Sequence, residues 1–273
     1  MTTRGVQRTR VVRPIECTQP PASVRREVLA ARPEVENPAS PPVLLVPGFG
    51  YGAWAYAEHW LDHIAERGFA AHAMSLRGHG RSDAAPDADL RAYVHDVIQI
   101  AAGLPRQAVL VGHGAGALVV AMALSRYPAR AGVLVSPVFG GFGTALSLLR
   151  RNPVGAFPGL FGGTVRLGPR QLFSRALSTA SAREYADRLA GPSRRAQRAL
   201  VRRQEPERPV GDPPVLVLGS PDDRMVARTA LEQVAERYGI APLLFPGMGH
   251  DLVLDARWRE PADAICDWLL KLP

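Results

Sequence analysis

Short apolar runs alternate with amphipathic stretches along most of this 273-residue chain, and that alternation limits its fold more than any other feature. VLLVPGFG (43–50), FAAHAMSL (69–76), AVLVG (108–112), AGVLVS (131–136), PVLVLGS (214–220) and IAPLLFPG (240–247) are strand-length and apolar almost throughout. Such runs read as strands covered on both faces, as in a parallel sheet. Between them, residues 52–68, 89–104, 115–128, 228–239 and 258–272 carry apolar side chains at helical spacing, with Gly68 and Pro128 as stop signals. Strands alternating with helices predict an α/β fold, a mostly parallel sheet flanked by helices and joined by right-handed crossovers. SVRREVLAA (23–31) reads as an entry strand, and RPEVENPASPP (32–42) as a loop. Residues 1–22 are rich in Pro and Arg and aperiodic, which predicts a disordered basic tail. Residues 137–212 interrupt the alternation and read as a mostly helical insertion between two core segments, 23–136 and 213–273.

Apolar residues make up 47% and charged residues 21%, enough to bury a sizeable core. No internal repeat appears, and no apolar run approaches the roughly 20 residues that a membrane span needs. The N-terminus carries Arg but no apolar core, so a secretory signal is not expected. Cys17 and Cys266 form no motif, which fits two structural or incidental thiols in a reducing, cytoplasmic setting. Lys271 is the single lysine beside abundant Arg and Ala, a composition typical of a GC-rich bacterial source.

The net charge of +8 is concentrated rather than spread. Residues 1–40 hold seven Arg against four acids, and residues 137–212 hold thirteen Arg against five. No nucleic-acid reader motif or aromatic-interleaved basic stripe accompanies this charge, so nucleic acid is not the expected partner. The seven His are scattered without ligand spacing, and no cofactor motif appears. The chain is therefore expected to act without metal or cofactor on a small molecule, anionic or carrier-bound.

LVGHGAGALV (110–119) follows one strand and opens the next helix. Its frame, Gly112-His113-Gly114-Ala115-Gly116, has the spacing of the nucleophile elbow G-x-S-x-G with Gly114 at the centre. The element order resembles the α/β-hydrolase superfamily from about residue 23 to 270. GAWAYAEHWLDHIAERGFAAHAMSLRGHGRSD (52–83) is similar to its lysophospholipase-like, esterase-like bacterial branch. The resemblance implies an α/β-hydrolase fold with a helical cap at 137–212. It also implies a triad in chain order nucleophile, acid, His. The acid falls in the Asp222-Asp223-Arg224 turn, where the pattern selects Asp223, and the His falls in PGMGHDL as His250. The oxyanion hole would be the backbone N–H groups of Phe49 and Ala115, although this chain has Pro47-Gly48 where relatives more often have His-Gly. Only the nucleophile position is vacant, at Gly114.

Other polar residues fit supporting roles. His79 is expected to order its loop and His113 to pack beneath the elbow, while Ser75 and Ser136 sit at strand ends without the reach of a nucleophile. In the insert, Phe139, Phe142 and Phe161 are candidates for packing on the core or for lining a substrate pocket. The Arg-rich second half fits a solvated face, an electropositive rim for an anionic or carrier-bound substrate, or a membrane surface.

Three functions remain open from sequence. The first is an enzyme using His250 and Asp223 for non-covalent acid–base chemistry on a small apolar carbonyl or ester compound: a lyase, a cyclase or isomerase, or a water-mediated hydrolase. The second is a catalytically silent binding protein, and the third a Ser-to-Gly form of an ordinary esterase or lipase. No covalent acyl-enzyme can form at Gly114, so a fluorophosphonate serine probe should leave the chain unlabelled. Stoichiometric labelling that maps to any Ser by mass spectrometry would overturn that assignment.

Overall fold

Seven strands form one sheet in the spatial order β1-β3-β2-β4-β5-β6-β7 in the computed structural model of the chain. The structure describes residues 19–35, 37–141, 146, 149–150, 152–160 (Leu160 by its backbone) and 163–272. The strands are β1 (Val28–Ala31), β2 (Val43–Val46), β3 (Ala71–Met74), β4 (Val109–His113), β5 (Ala131–Val135), β6 (Val215–Gly219) and β7 (Leu243–Leu244). β1 runs antiparallel to β3 and every other pairing is parallel.

Period-two alternation divides each central strand between two cores. Val43, Leu45, Val109, Val111, Val133 and Val135 face one side with α1 (Trp54–Ala57), α2 (Trp60–Glu66) and α10 (Arg259–Leu269). Leu44, Val46, Leu110 and Leu134 face the other with α3 (Leu90–Gly103), α4 (Ala115–Leu124) and α9 (Arg228–Glu236). Helix α4 is buried almost all round, which its AGALVVAMAL sequence permits and a polar face would not. Asp89 caps α3 by accepting from Ala92 N at 2.9 Å. Cys266 is buried in α10, and burial pushes its thiol up to about 12.

Several elements are shorter than their sequence patterns. The helix expected over 52–68 is two helices, because His59 leaves helical backbone (φ −147°). Its ring stacks flat on Trp258, centroids 4.6 Å apart. The 240–247 run yields only a two-residue edge strand between Pro242 and Pro246, residues that cannot donate to a ladder. Of the tail expected over 1–22, only residues 19–22 are described. They lie on the core, with Arg77 donating to Ala22 O at 3.1 Å and Arg91 to Gln19 O.

Residues 137–212 enter after β5 and return at β6. They carry α5 (Pro153–Leu160), α6 (Pro169–Leu172), α7 (Thr179–Asp187) and α8 (Arg194–Ala199) between irregular stretches. The insert is tied to the core in several places. Ala190 N donates to Gly50 O (2.9 Å), Ser193 Oγ to Ala88 O (2.6 Å), and Arg188 lies 3.9 Å over the Trp54 ring.

A buried ion pair secures the loop after β3. Arg77 reaches Asp96 of α3 through Nε (2.7 Å) and Nη2 (2.6 Å), and their side chains are 5% and 0% exposed. Beyond it, His79 packs edge-on against Tyr93, which in turn meets the Phe49 ring at 5.3 Å. Asp96→Ala would leave the Arg77 guanidinium buried without its carboxylate. The expected cost is about 3–5 kcal/mol, read from urea unfolding. A cost below about 1 kcal/mol, the level of a surface pair, would mean the pair does not secure this loop.

Candidate active site

Backbone geometry at the C-terminal edge of the sheet comes first. Gly114 sits between β4 and α4 at φ 56°, ψ −122°, a conformation that side chains tolerate poorly. Its N–H donates to Val135 O (2.9 Å), and its carbonyl accepts from Ala117 N and Val138 N. The turn is therefore bonded to β5, to its own helix and to the start of the insert. Tight packing against β2 follows from Gly116, where a Cβ would lie 2.3 Å from Pro47 O.

His250 reaches the same point from the loop after β7. Its Nδ1–H donates to Asp223 Oδ2 at 2.7 Å, which leaves Nε2 as the free ring nitrogen. A Cβ built on Gly114 would lie 3.3 Å from that Nε2. Asp223 is held in turn, its Oδ1 accepting from Met225 N (2.6 Å) and Val226 N (2.9 Å). Both side chains are buried, at 4% and 2% exposure. Burial works against the imidazolium. The Asp223 charge, the hydrogen bond to it and the Asp251 charge together outweigh burial, so the His250 pKa is raised above its ordinary 6.5. The interaction thus contributes stability that is complete below pH 6.5 and is lost as pH climbs through the raised value. Above that value the ring is neutral and able to accept a proton at Nε2.

Two amides complete the floor. Phe49 N and Ala115 N donate to no acceptor among the described residues, and both residues line one cavity with Gly114, His113 and His250. The cavity holds about 1030 Å³. Its walls are largely apolar: Val138, Leu149, Leu167, Leu172, Leu200 and Met225, most of them from the insert. The N-terminus of α4 also points at this floor and favours negative charge there.

The structure thus brings together Gly114, His250, Asp223, Phe49 and Ala115. Phe139 lies elsewhere, packed in the core at 7% exposure, and its neighbour Val138 forms the cavity wall. Phe142 and Phe161 lie outside the described residues. Ser75 is occupied, donating to Glu27 Oε2 (2.6 Å) and accepting from Ala53 N (2.8 Å). Ser136 is buried at φ 44° and does not line the cavity. His79 donates from Nδ1 to Arg77 O (3.0 Å), and burial lowers its pKa. His113 donates from Nε2 to His250 O at 3.4 Å, and its pKa too is lowered, chiefly by burial. Among the described residues no cluster of His, Cys, Asp and Glu is arranged to hold a metal, and no helix is long and apolar enough to cross a membrane.

Sequence reasoning missed two carboxylates beside the catalytic candidates. Asp251 is fully buried and accepts from Val253 N and Leu254 N. Asp255 accepts from Gly249 N (2.8 Å), Ser174 N (2.9 Å) and Ser174 Oγ (2.6 Å), so it binds the His250 loop to the insert. Their signal was two acids inside the apolar stretch HDLVLD, where an exposed loop would carry fewer apolar neighbours.

Residues 43–266 match the model of the Alpha/beta hydrolase family, and the chain belongs to that family. Among curated proteins no sequence matches it. The fold is that of an esterase from Rhodococcus sp. (TM-score 0.69, 22% identity, 92% of this chain and 100% of that one). It is shared by a monoacylglycerol lipase from Paleococcus ferrophilus (0.66, 20%, 92% and 100%) and a bromoperoxidase from Bacillus anthracis (0.69, 16%, 92% and 96%).

Asp223→Asn removes the attraction that opposes burial at His250. The His250 pKa, followed by imidazole NMR titration, should fall from its raised value. An unchanged or higher value would show that Asp223 does not set the charge of that ring.

Proposed function

We propose that this α/β-hydrolase carries out non-covalent acid–base chemistry with His250 as the proton-transfer group and no side-chain nucleophile. One observation carries the proposal: the point where a Ser side chain would begin at position 114 carries none, and it lies 3.3 Å from His250 Nε2. Asp223 accepts the Nδ1 proton and so fixes the tautomer that leaves Nε2 basic. A water, or a carbon beside a carbonyl, held at that point loses its proton to Nε2. The oxygen that gains charge is then stabilised by the amides of Phe49 and Ala115, aimed by rigid backbone and needing no reorganisation. The insert 137–212 acts as a cap that supplies the apolar walls and excludes water. The substrate is a small apolar carbonyl or ester compound, and the reaction a cofactor-free elimination, cyclisation, isomerisation or water-mediated hydrolysis. The lysophospholipase-like, esterase-like branch is the closest fit for the motifs at 52–83.

Gly114→Ser tests the site, because only the attacking oxygen is missing. A side chain in this turn should cost about 1–3 kcal/mol. The variant should gain fluorophosphonate labelling and hydrolyse p-nitrophenyl acetate with a burst. His250→Ala in that background should remove both. A Gly114→Ser protein that folds yet gains neither activity would sink the acid–base reading and leave a binding protein in its place.

A further inference from the structure

The arginines of the insert sort by what they touch. Arg188 is spent on Trp54 and on Glu58 Oε1 (2.5 Å), Arg195 on Asp89 (3.6 Å), and Arg203 on Gln233 (3.0 Å). Several others, Arg170, Arg175 and Arg183 among them, have no side-chain partner among the described residues, and of this group Arg166 and Arg198 are set apart by position. Both line the cavity that contains His250, and among the described residues neither guanidinium has a hydrogen-bond or ion-pair partner.

Their backbones are fixed side by side. Gln197, next to Arg198, accepts from Val165 N (2.9 Å), next to Arg166, and donates to Gly163 O (2.9 Å). Arg166 N donates to Gly155 O (3.0 Å), and its carbonyl accepts from Asn152 Nδ2 (2.8 Å). Arg166 and Arg198 are exposed and held at anchored backbone positions, whereas His250, at 3% exposure, marks the buried end of the same cavity. Among the described residues Asp187 is the one acid that also lines it, so the two cations outnumber it. Between the ends the walls are apolar.

We propose that the ligand is an amphipathic anion: a carboxylate or phosphate held by Arg166 and Arg198, an apolar body along the cavity, and a carbonyl at His250. Two forked guanidinium donors suit either oxyanion, and a Lys pair would not offer the same bidentate geometry. The carbonyl's place rests on the function proposed above, whereas the anion site does not.

The test measures binding to the unmodified chain by calorimetry, with no turnover required. The probes are monomethyl decanedioate, which carries one carboxylate, and its neutral dimethyl ester. A decyl phosphate arm separates phosphate from carboxylate as the anion source. The monoanion should bind at least about tenfold tighter than the diester, and the margin should shrink as salt screens the charge. In Arg166→Gln/Arg198→Gln the two probes should bind alike, with the diester unaffected. Stronger retention of decyl phosphate over the half-ester would assign the site to phosphate. Equal binding of charged and neutral probes to the unmodified chain would overturn the proposal, as would a preference that survives the double substitution. Preference for the anion together with a silent Gly114→Ser variant would remove the catalytic reading and keep the anion site. The reverse outcome would remove only the anion site.

Discussion

The turn at Gly114 is the constraint on which the site rests. Its backbone sits in a region costly to any residue with a Cβ, and three hydrogen bonds to β5, α4 and the insert hold it there. Glycine occupies the position at low conformational cost. The same turn aims Ala115 N and the start of α4 at the cavity. It also brings His250 Nε2 to the point where a side chain would start. Strain that other residues would carry is thus absent here, while the geometry it supports persists.

Around this turn, burial and charge divide the work. The sheet is covered on both faces, so its strands need no polar alternation, and polar groups gather at its C-terminal edge. Asp223, Asp251 and Asp255 are all buried there, and each accepts from backbone amides rather than from surface cations, Asp251 through Oδ1 alone. The charges of Asp223 and Asp251 favour the imidazolium beside them and together with the Asp223 hydrogen bond outweigh its burial. A raised His250 pKa follows from that arrangement.

Much of this was legible in the sequence, for identifiable reasons. Short apolar runs such as Val43–Val46 and Val109–Val111, set between amphipathic stretches, read as strands with two covered faces. The spacing from Gly112 to Gly116, the Asp222-Asp223 turn and the Gly-rich loop at His250 carry information in the order of the chain. What escaped depends on neighbours distant in sequence. At the break His59 stacks on Trp258, and Phe139 joins a core cluster gathered from both core segments, whereas the shortness of β7 is local, set by its flanking prolines. The two cavity-lining arginines could not be told from their neighbours in an Arg-rich segment, because what a side chain lines is a property of the folded chain.

One contact constrains the route into the cavity. Leu172 O accepts from Asp251 N, Ser174 donates twice to Asp255, and Arg170 O accepts from Arg224. Each such bond is worth about 1 kcal/mol net, and all four run between the insert and the two loops that carry His250 and Asp223. A molecule entering by lifting this part of the insert would loosen the two loops that hold His250 and Asp223 together. The stretch around α5, with Val154 85% exposed, carries none of these four bonds. Entry on that side would leave the His250 imidazole in register, so access to the cavity and the alignment of that ring are mechanically separate.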